Sequence, residues 1–350
     1  MYFLWMEVGR AYFEPLIGYD IYGEISRYEK DVLLLHGDQD SIVPLSSSEQ
    51  ALKVYQSAEL EVISGAGHGF YGEEEEQASS SDIKNSTEKE EINMIFYFTA
   101  TGNSLYAAKY LEEERISIPQ IIDRDNLSFQ ADRIGIVCPV YGHEVPQMVQ
   151  EFLAKASFET DYFYMVLTYG NRHGGATELA LELCRKCGIQ PAYINVLMMV
   201  DNWLPSFDMN EQKAIDKKVD EHLEVIKKEI EGKVHKISEV TDTDRAAHQQ
   251  FIENQSKLPP DLWQHLITVG EGCVGCGICE QVCPSGSIRV EQGKAVHIPG
   301  RCQSCLACVH HCPQKAVGLT IPEKNPEARY RNEKITLKEI VAANSRKEAV

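Results

Sequence analysis

Between residues 92 and 200, short continuous apolar runs alternate with segments whose apolar positions recur at helical spacing. The runs Met94–Thr99, Ile134–Pro139, Tyr162–Thr168 and Ala192–Met198 read as strands. Ser104–Glu113, Val145–Ala156 and Thr177–Cys187 read as amphipathic helices. A weaker strand is expected near Ile118–Ile122, where Pro119 limits it to a strand start or an edge. This alternation predicts an α/β fold, a doubly wound parallel sheet with helices on both faces. From about Glu211, the residues Ile215, Val219, Leu223, Ile226, Ile230 and Val234 form one stripe of a single long charged helix. That helix is expected to pack on the sheet or to bridge to the next block.

The same reading divides the chain. Residues 1–72 contain two strand-like runs, Val32–His36 and Leu60–Ile63, with a helical stretch between them. Residues 73–91 open on Glu73–Glu76, pass through Ser79–Ser81 and contain almost no apolar residue, which predicts an acidic flexible spacer. Residues 92–240 form the sheet domain with its long helix, 262–320 a small cysteine-rich domain, and 321–350 a wrapping tail with a short helix around Leu337–Ala343.

Composition narrows the functional classes. An apolar content of 43% permits an ordinary core. The net charge of −19 argues against nucleic acid, whose binding needs clustered Lys and Arg, and suits docking to a basic partner. No stretch approaches the roughly 20 apolar residues that cross a bilayer, and Met1–Arg10 lacks the basic leader of a signal peptide.

Eight of the eleven cysteines lie between Cys273 and Cys312, at metal-ligand spacing, which points to a reducing cytoplasm rather than to disulfides. Cys273, Cys276, Cys279 and Cys283 precede Pro284, and Cys302, Cys305, Cys308 and Cys312 repeat the same spacing before Pro313. Two-residue gaps let consecutive thiolates curl around one cubane, while the displaced fourth cysteine reaches the other cluster. The expected ligand sets are therefore Cys273, Cys276, Cys279 and Cys312 for one cluster, and Cys302, Cys305, Cys308 and Cys283 for the second. Structural zinc also uses Cys-x-x-Cys, but in separated pairs rather than in a repeated triplet followed by Cys-Pro. This block resembles the bacterial two-cluster ferredoxins, which implies two [4Fe-4S] clusters that pass electrons singly. Gly275 and Gly277 are expected to let the backbone approach the inorganic sulfides. Val274, Ile278, Val282, Ile288, Leu306 and Val309 would form a dry shell, and Ser287–Ile298 a hairpin turning at Gln292-Gly293. His310 and His311 are expected on a solvated rim, and Cys138, Cys184 and Cys187 as ordinary packing or surface thiols.

After the first strand of the sheet domain comes Thr99-Ala100-Thr101-Gly102-Asn103-Ser104, leading into a helix. Hydroxyls, a glycine and a helix N-terminus concentrate donors where a phosphate can sit. The loop has neither the lysine of a Walker loop nor Gly-x-Gly-x-x-Gly. It resembles the FMN phosphate loop of flavodoxins, with Ser104 in place of the final threonine. That resemblance places the flavin ring over the ends of the third and fourth strands, at Tyr141-Gly142 and Tyr169-Gly170. From Met94 onward the chain resembles flavodoxin–ferredoxin fusion proteins, which implies electron transfer between FMN, the clusters and a redox partner protein or small-molecule acceptor. The rival reading is a flavin-dependent reductase of a small substrate.

The first block resembles the C-terminal part of α/β-hydrolases. Val32–His36 with Gly37-Asp38-Gln39-Asp40 looks like the strand and acid loop, and Gly65-Ala66-Gly67-His68 looks like the histidine loop. Asp40 and His68 would be the triad acid and base, in the right chain order. No Gly-x-Ser-x-Gly occurs in the chain, so an incomplete hydrolase fragment is expected, with esterase- or peptidase-type activity as the last of the rival readings.

Overall fold

The computed structural model describes residues 19–68 and 91–346, together with two short strands, Tyr2–Phe3 and Met6–Glu7, that pair antiparallel. The expected spacer lies outside the described residues except for Glu91. The chain forms two compact units, Met1–Glu90 and Glu91–Val350.

In the first unit, strands Val32–Gly37 and Ala58–Ile63 pair in parallel around the connecting helix Leu45–Val54. Among its described residues only Ile63 and Ala66 are fully buried apolar side chains. The unit's other described helix, Ile21–Ile25, buries none of its residues, so the two-stranded sheet gains little of a second layer against which to bury a face.

The second unit is built on a six-stranded parallel sheet. Its strands are β1 (Asn93–Tyr97), β2 (Arg115–Ser117), β3 (Arg133–Pro139), β4 (Tyr162–Tyr169), β5 (Tyr193–Met198) and β6 (Lys236–Ile237). They lie in the order β6-β5-β4-β3-β1-β2, and every pairing is parallel. Read from the β2 edge, this is the 2-1-3-4-5 order of flavodoxin-like sheets with a sixth strand added. The connecting helices are α1 (Asn103–Leu111), α2 (Ile118–Ile121), α3 (Gln147–Lys155) and α4 (Ala176–Lys186). Strands β3 and β4 are buried along almost their whole length, as a sheet covered on both faces requires.

Two expected elements differ. The weak strand near Ile118–Ile122 is a helical turn, α2, preceded by the three residues of β2; Pro119 sits in its first turn, where the missing N–H costs nothing. The single long helix is two, α5 (Met209–Ala214) and α6 (Val219–Glu231). Lys218 takes a left-handed φ of 52°, and Asp216 Oδ1 accepts its amide at 3.0 Å, which restarts the helix. Leu223, Ile226 and Ile230 of the stripe are buried, whereas Ile215 and Val234 are exposed.

No element is expected from the sequence between residues 241 and 261, yet helix α7 (Asp242–Gln255) occupies it, opened by a Thr241–Asp244 capping box. The cysteine-rich segment follows. In it β7 (Ile267–Val269) pairs antiparallel with β10 (Val317–Leu319). Between them, helix α8 (Ile278–Gln281), hairpin β8 (Ile288–Glu291) and β9 (Lys294–His297), and helix α9 (Ala307–His310) succeed one another. Gln292 and Gly293 both take positive φ, 49° and 79°, as a two-residue hairpin turn requires.

The C-terminal tail runs back across both parts. Its helix α10 (Leu337–Asn344) is capped by Thr336 and Glu339. Asn344 is buried, and its Nδ2 donates to Thr99 O at 3.2 Å and to Val282 O at 3.0 Å. One side chain thereby ties the loop after β1 to the cysteine-rich segment.

Candidate cofactor-binding site

The loop after β1 is shaped by its own side chains. Thr99 Oγ1 accepts the Gly102 amide at 3.2 Å, and Ser104 Oγ lies 2.9 Å from Thr168 Oγ1. Thr101 Oγ1 accepts from Asn202 Nδ2 at 2.9 Å. Asn103 Nδ2 donates to Val200 O at 3.0 Å, while its Oδ1 accepts from Tyr330 Oη at 2.6 Å and Asn332 Nδ2 at 3.2 Å. The hydroxyls are thus used to hold the loop. The first-turn amides of α1, at Asn103, Ser104 and Leu105, have no carbonyl within the helix and are the donors suited to a phosphate. Gly102 caps α1 with φ 101°, and a Cβ there would stand 3.0 Å from the Cβ atoms of Asn332 and Ile335.

This loop forms one end of a cavity of about 680 Å³. Thr99, Thr101, Asn103 and Ser104 line it together with Tyr141, Gly142, Tyr169 and Gly170 at the ends of β3 and β4. Sequence reasoning missed other walls, among them His143 after β3, Asp201–Trp203 after β5, Phe251 of α7, Trp263, and Gln303–Leu306, which includes the cluster-type Cys305. The volume lies in the range of pockets that hold a cofactor, about 300–1,000 Å³. Its walls are built for close approach. A Cβ on Gly142 would lie 2.8 Å from the Phe251 ring, and one on Gly170 only 2.2 Å from Asp201 Cβ. Tyr141 Oη is buried with no hydrogen-bond partner among the described residues, and burial holds its pKa well above the ordinary value. Burial likewise raises Asp201, against the pull of the Trp203 and Asn171 amides and of Lys217. An aromatic heterocycle with a phosphate tail fits a space of this shape and lining.

In the cysteine-rich segment, a small enclosed gap is lined by Cys273, Cys276 and Cys279 of the first motif and by Cys312 of the second. Cys279 is pushed up to about 11 by burial and, opposed by the Glu280 amide, by the neighbouring sulfurs of Cys312, Cys273 and Cys276. Burial raises Cys302, Cys305 and Cys308 too, and Cys283 is among the electrostatic neighbours of all three. The two groups therefore form across the motifs. Backbone amides point at the sulfurs: Ala295 N to Cys273 at 3.3 Å, Ser287 N to Cys283 at 3.2 Å, Ser304 N to Cys302 at 3.4 Å and Ala316 N to Cys312 at 3.2 Å. Such donors favour the thiolate and tune whatever it ligates. Among the described residues, no three His, Cys, Asp or Glu side chains converge to hold a single metal ion.

Three residues near the cysteines, Val274, His310 and His311, differ from expectation. Val274 is 63% exposed rather than part of the dry shell, and Cys276 of the same loop is exposed with it. Gly275, at φ 65°, makes room for the hairpin: a Cβ would meet Gly293 O at 2.3 Å. His310 and His311 are buried, not on a rim. His310 Nε2 donates to Asn202 O at 2.9 Å while its Nδ1 accepts the Tyr330 amide at 3.2 Å, which requires a neutral ring. His311 Nδ1 lies 2.8 Å from Ala307 O. Cys138 and Cys184 are packed in the sheet core, and Cys187 is half-buried.

The 4Fe-4S dicluster domain family matches residues 265–313. An uncharacterised ferredoxin of Methanocaldococcus jannaschii is 34% identical over 68 residues, 18% of this chain and 88% of that protein. Through this segment the chain belongs to the ferredoxin family. The ferredoxin segment is also 50% identical over 48 residues to one subunit of an ion-translocating oxidoreductase complex from Methanosarcina acetivorans. That match covers 14% of this chain and only 18% of the length of its relative. A ferredoxin-like protein of the nif region of Trichormus variabilis is 36% identical over 52 residues, 15% of this chain and 45% of its own. Among solved structures, a Bacteroides uniformis protein assigned as a flavoprotein aligns at TM-score 0.26 and 14% identity, over 40% of this chain and 98% of its own. The Trp repressor binding protein of Bacillus subtilis aligns at 0.22 and 9%, over 30% of this chain and 83% of its own. The assignment of the sheet rests on its strand order, not on these two alignments. Among the described residues, no helix is long and apolar enough to cross a membrane.

In the first unit, Asp40 and His68 meet. His68 Nδ1 lies 2.8 Å from Asp40 Oδ2, and the Ile42 and Val43 amides donate to Asp40 Oδ1 at 2.8 and 2.9 Å. Burial opposes ionisation of Asp40, but the Val43 amide, His68 and the Ile42 amide outweigh it and hold the pKa at about 2. Among the described residues, no hydroxyl or thiol hydrogen-bonds His68.

Proposed function

We propose that this chain is an iron–sulfur flavoprotein that passes electrons between FMN, two [4Fe-4S] clusters and a redox partner. The observation that carries this reading is the shared cavity: the same space is bounded at one end by Thr99–Ser104 and at another by Cys305 and Leu306. FMN, when bound, accepts two electrons together and releases them singly, the property that matches it to one-electron clusters. The first-turn amides of α1 would hold its phosphate, and Tyr141 and Tyr169 would flank its ring. Cys305 would place the cluster of Cys283, Cys302, Cys305 and Cys308 beside the flavin. The cluster of Cys273, Cys276, Cys279 and Cys312 would then be the outlet, since Cys276 is exposed and Val274 beside it is bare. The net charge of −19 suits a partner with a basic docking face. For residues 1–72 we keep the reading of an incomplete α/β-hydrolase end, supported by the Asp40–His68 contact.

The test is stoichiometric. Anaerobically reconstituted protein should contain about eight irons and eight acid-labile sulfides per chain. It should quench added FMN fluorescence to an endpoint of one FMN per chain. Full iron content with no FMN quenching would remove the flavin from the account, and four irons or fewer would remove the second cluster.

A further inference from the structure

One wall of the cavity, with the side chains packed behind it, holds buried polar atoms that the electron path does not use. Besides Tyr141 Oη, the Nδ1 atoms of His143, His173 and His248 are buried with no hydrogen-bond partner among the described residues. Buried polar atoms are normally satisfied, so such a group in one place calls for a reason. His143 itself lines the cavity. Its backbone is held at φ 72° by the two-residue turn that Tyr141 and Glu144 close with hydrogen bonds of 2.9 and 3.0 Å, which fixes where the ring stands. Its ring fills the space left by Gly174, where a Cβ would come within 2.3 Å of the ring's Cγ. Phe251 supports the ring at a centroid distance of 5.0 Å, and the His248 ring stands 5.6 Å away. His173 lies edge-on to Tyr169, another wall residue, at 5.2 Å.

We propose that His143 is the proton-transfer residue of this cavity, linked to solvent through His248 and His173. The inference rests on the flavin reading above. Taking a bound isoalloxazine to its two-electron, singly protonated reduced form consumes two electrons and one proton. The electrons arrive one at a time from the Cys305 side, supplied by a low-potential one-electron donor. The His143 ring takes up one proton from solvent through the half-buried His248 and passes that proton on, ending neutral as it began. The groups facing His143 are His248 and Asp244 on α7, His173 and Arg172 after β4, and Glu144 beside it. Burial lowers the pKa of His143, its neighbours His248, His173 and Arg172 lower it further, and Asp244 opposes them. The ring is therefore neutral at rest and takes up a proton as negative charge builds in the cavity. His173 Nε2, 3.9 Å from Asp244 Oδ1, supplies a second branch of the relay.

The experiment uses the full chain carrying its clusters and FMN, in native form and as His143→Phe and His143→Gln. The flavin reduction potential is measured against pH, and the rate of flavin reduction through the clusters is measured by stopped flow. The native protein should show a break in the potential–pH curve that both variants lack. Flavin reduction in the variants should slow about 100-fold, the size expected when a positioned proton donor is removed. Superimposable curves and rates overturn the proposal and leave the flavin reading standing. If FMN does not bind the native chain, both fall. If His143→Phe loses FMN, His248→Phe decides: its side chain is not a wall of the cavity, and it should slow reduction while keeping FMN affinity. An unchanged rate in that variant overturns the relay.

Discussion

Cys283→Ala should empty the cluster site of the other motif. The iron of Cys302, Cys305 and Cys308 should be lost, while Cys273, Cys276 and Cys279 keep theirs. The reason is spatial. Cys283 follows Cys279 by four positions, but it stands among Cys302, Cys305 and Cys308, and its sulfur accepts the Ser287 amide at 3.2 Å. Cys312 in return completes the gap lined by Cys273, Cys276 and Cys279. A cubane with three of four ligands is labile, so iron should fall from about eight to about four per chain. Because the lost site is the one on the cavity wall, FMN should bind but no longer exchange electrons with the remaining iron. The converse variant, Cys312→Ala, should also leave about four irons yet preserve that exchange. Loss of flavin communication in both variants, or in neither, would contradict the crossed assignment.

Gly102→Val should cripple the cavity at its phosphate end. The native residue adopts φ 101°, and a Cβ would press on Asn332 and Ile335 of the tail at 3.0 Å. A β-branched residue in left-handed backbone costs about 1–2 kcal/mol before any clash is counted. Relief of the clash must move either the tail or the loop, and the loop carries the Asn103 to Leu105 amides. FMN affinity should fall at least about tenfold, equivalent to about 1.4 kcal/mol. Urea unfolding should also show a midpoint decrease. Gly188→Ala is the control: φ there is 76°, and a Cβ would meet nothing within 4 Å. It should lose a comparable backbone increment and bind FMN normally. Equal FMN affinity in native protein and Gly102→Val would show that the loop does not hold the phosphate.

How far the chain was legible depends on the range of the interactions involved. Ile134–Pro139 and Tyr162–Thr168 are buried on both sides, so their apolar runs announce strands whatever surrounds them. The cysteine spacing is equally local, since a curl of thiolates round a cluster is made by neighbours in sequence. The break at Lys218 was hidden because the apolar stripe continues through it, and only the backbone turns. Helix α7 had a readable start, Thr241 three residues before Asp244, but no continuous apolar face behind it, and none of its residues is fully buried. The position of Cys305 on the cavity wall was out of reach. It depends on the long-range packing of residues 303–306 against the ends of β3 and β4. His310 shows the same limit, because a polar residue flanked by cysteines looks solvent-facing until Asn202 O and the Tyr330 amide are brought to its ring.

The central claim, that one cavity joins the flavin to the clusters within a single chain, has a direct kinetic signature. FMN-loaded, cluster-replete protein is flash-reduced at the flavin under anaerobic conditions, and the cluster absorbance is followed at several protein concentrations. Transfer inside the chain gives a first-order rate constant that does not change with concentration, and Cys283→Ala abolishes it. A rate that rises in proportion to protein concentration would mean that the electrons pass between molecules, and the cavity would not be their route.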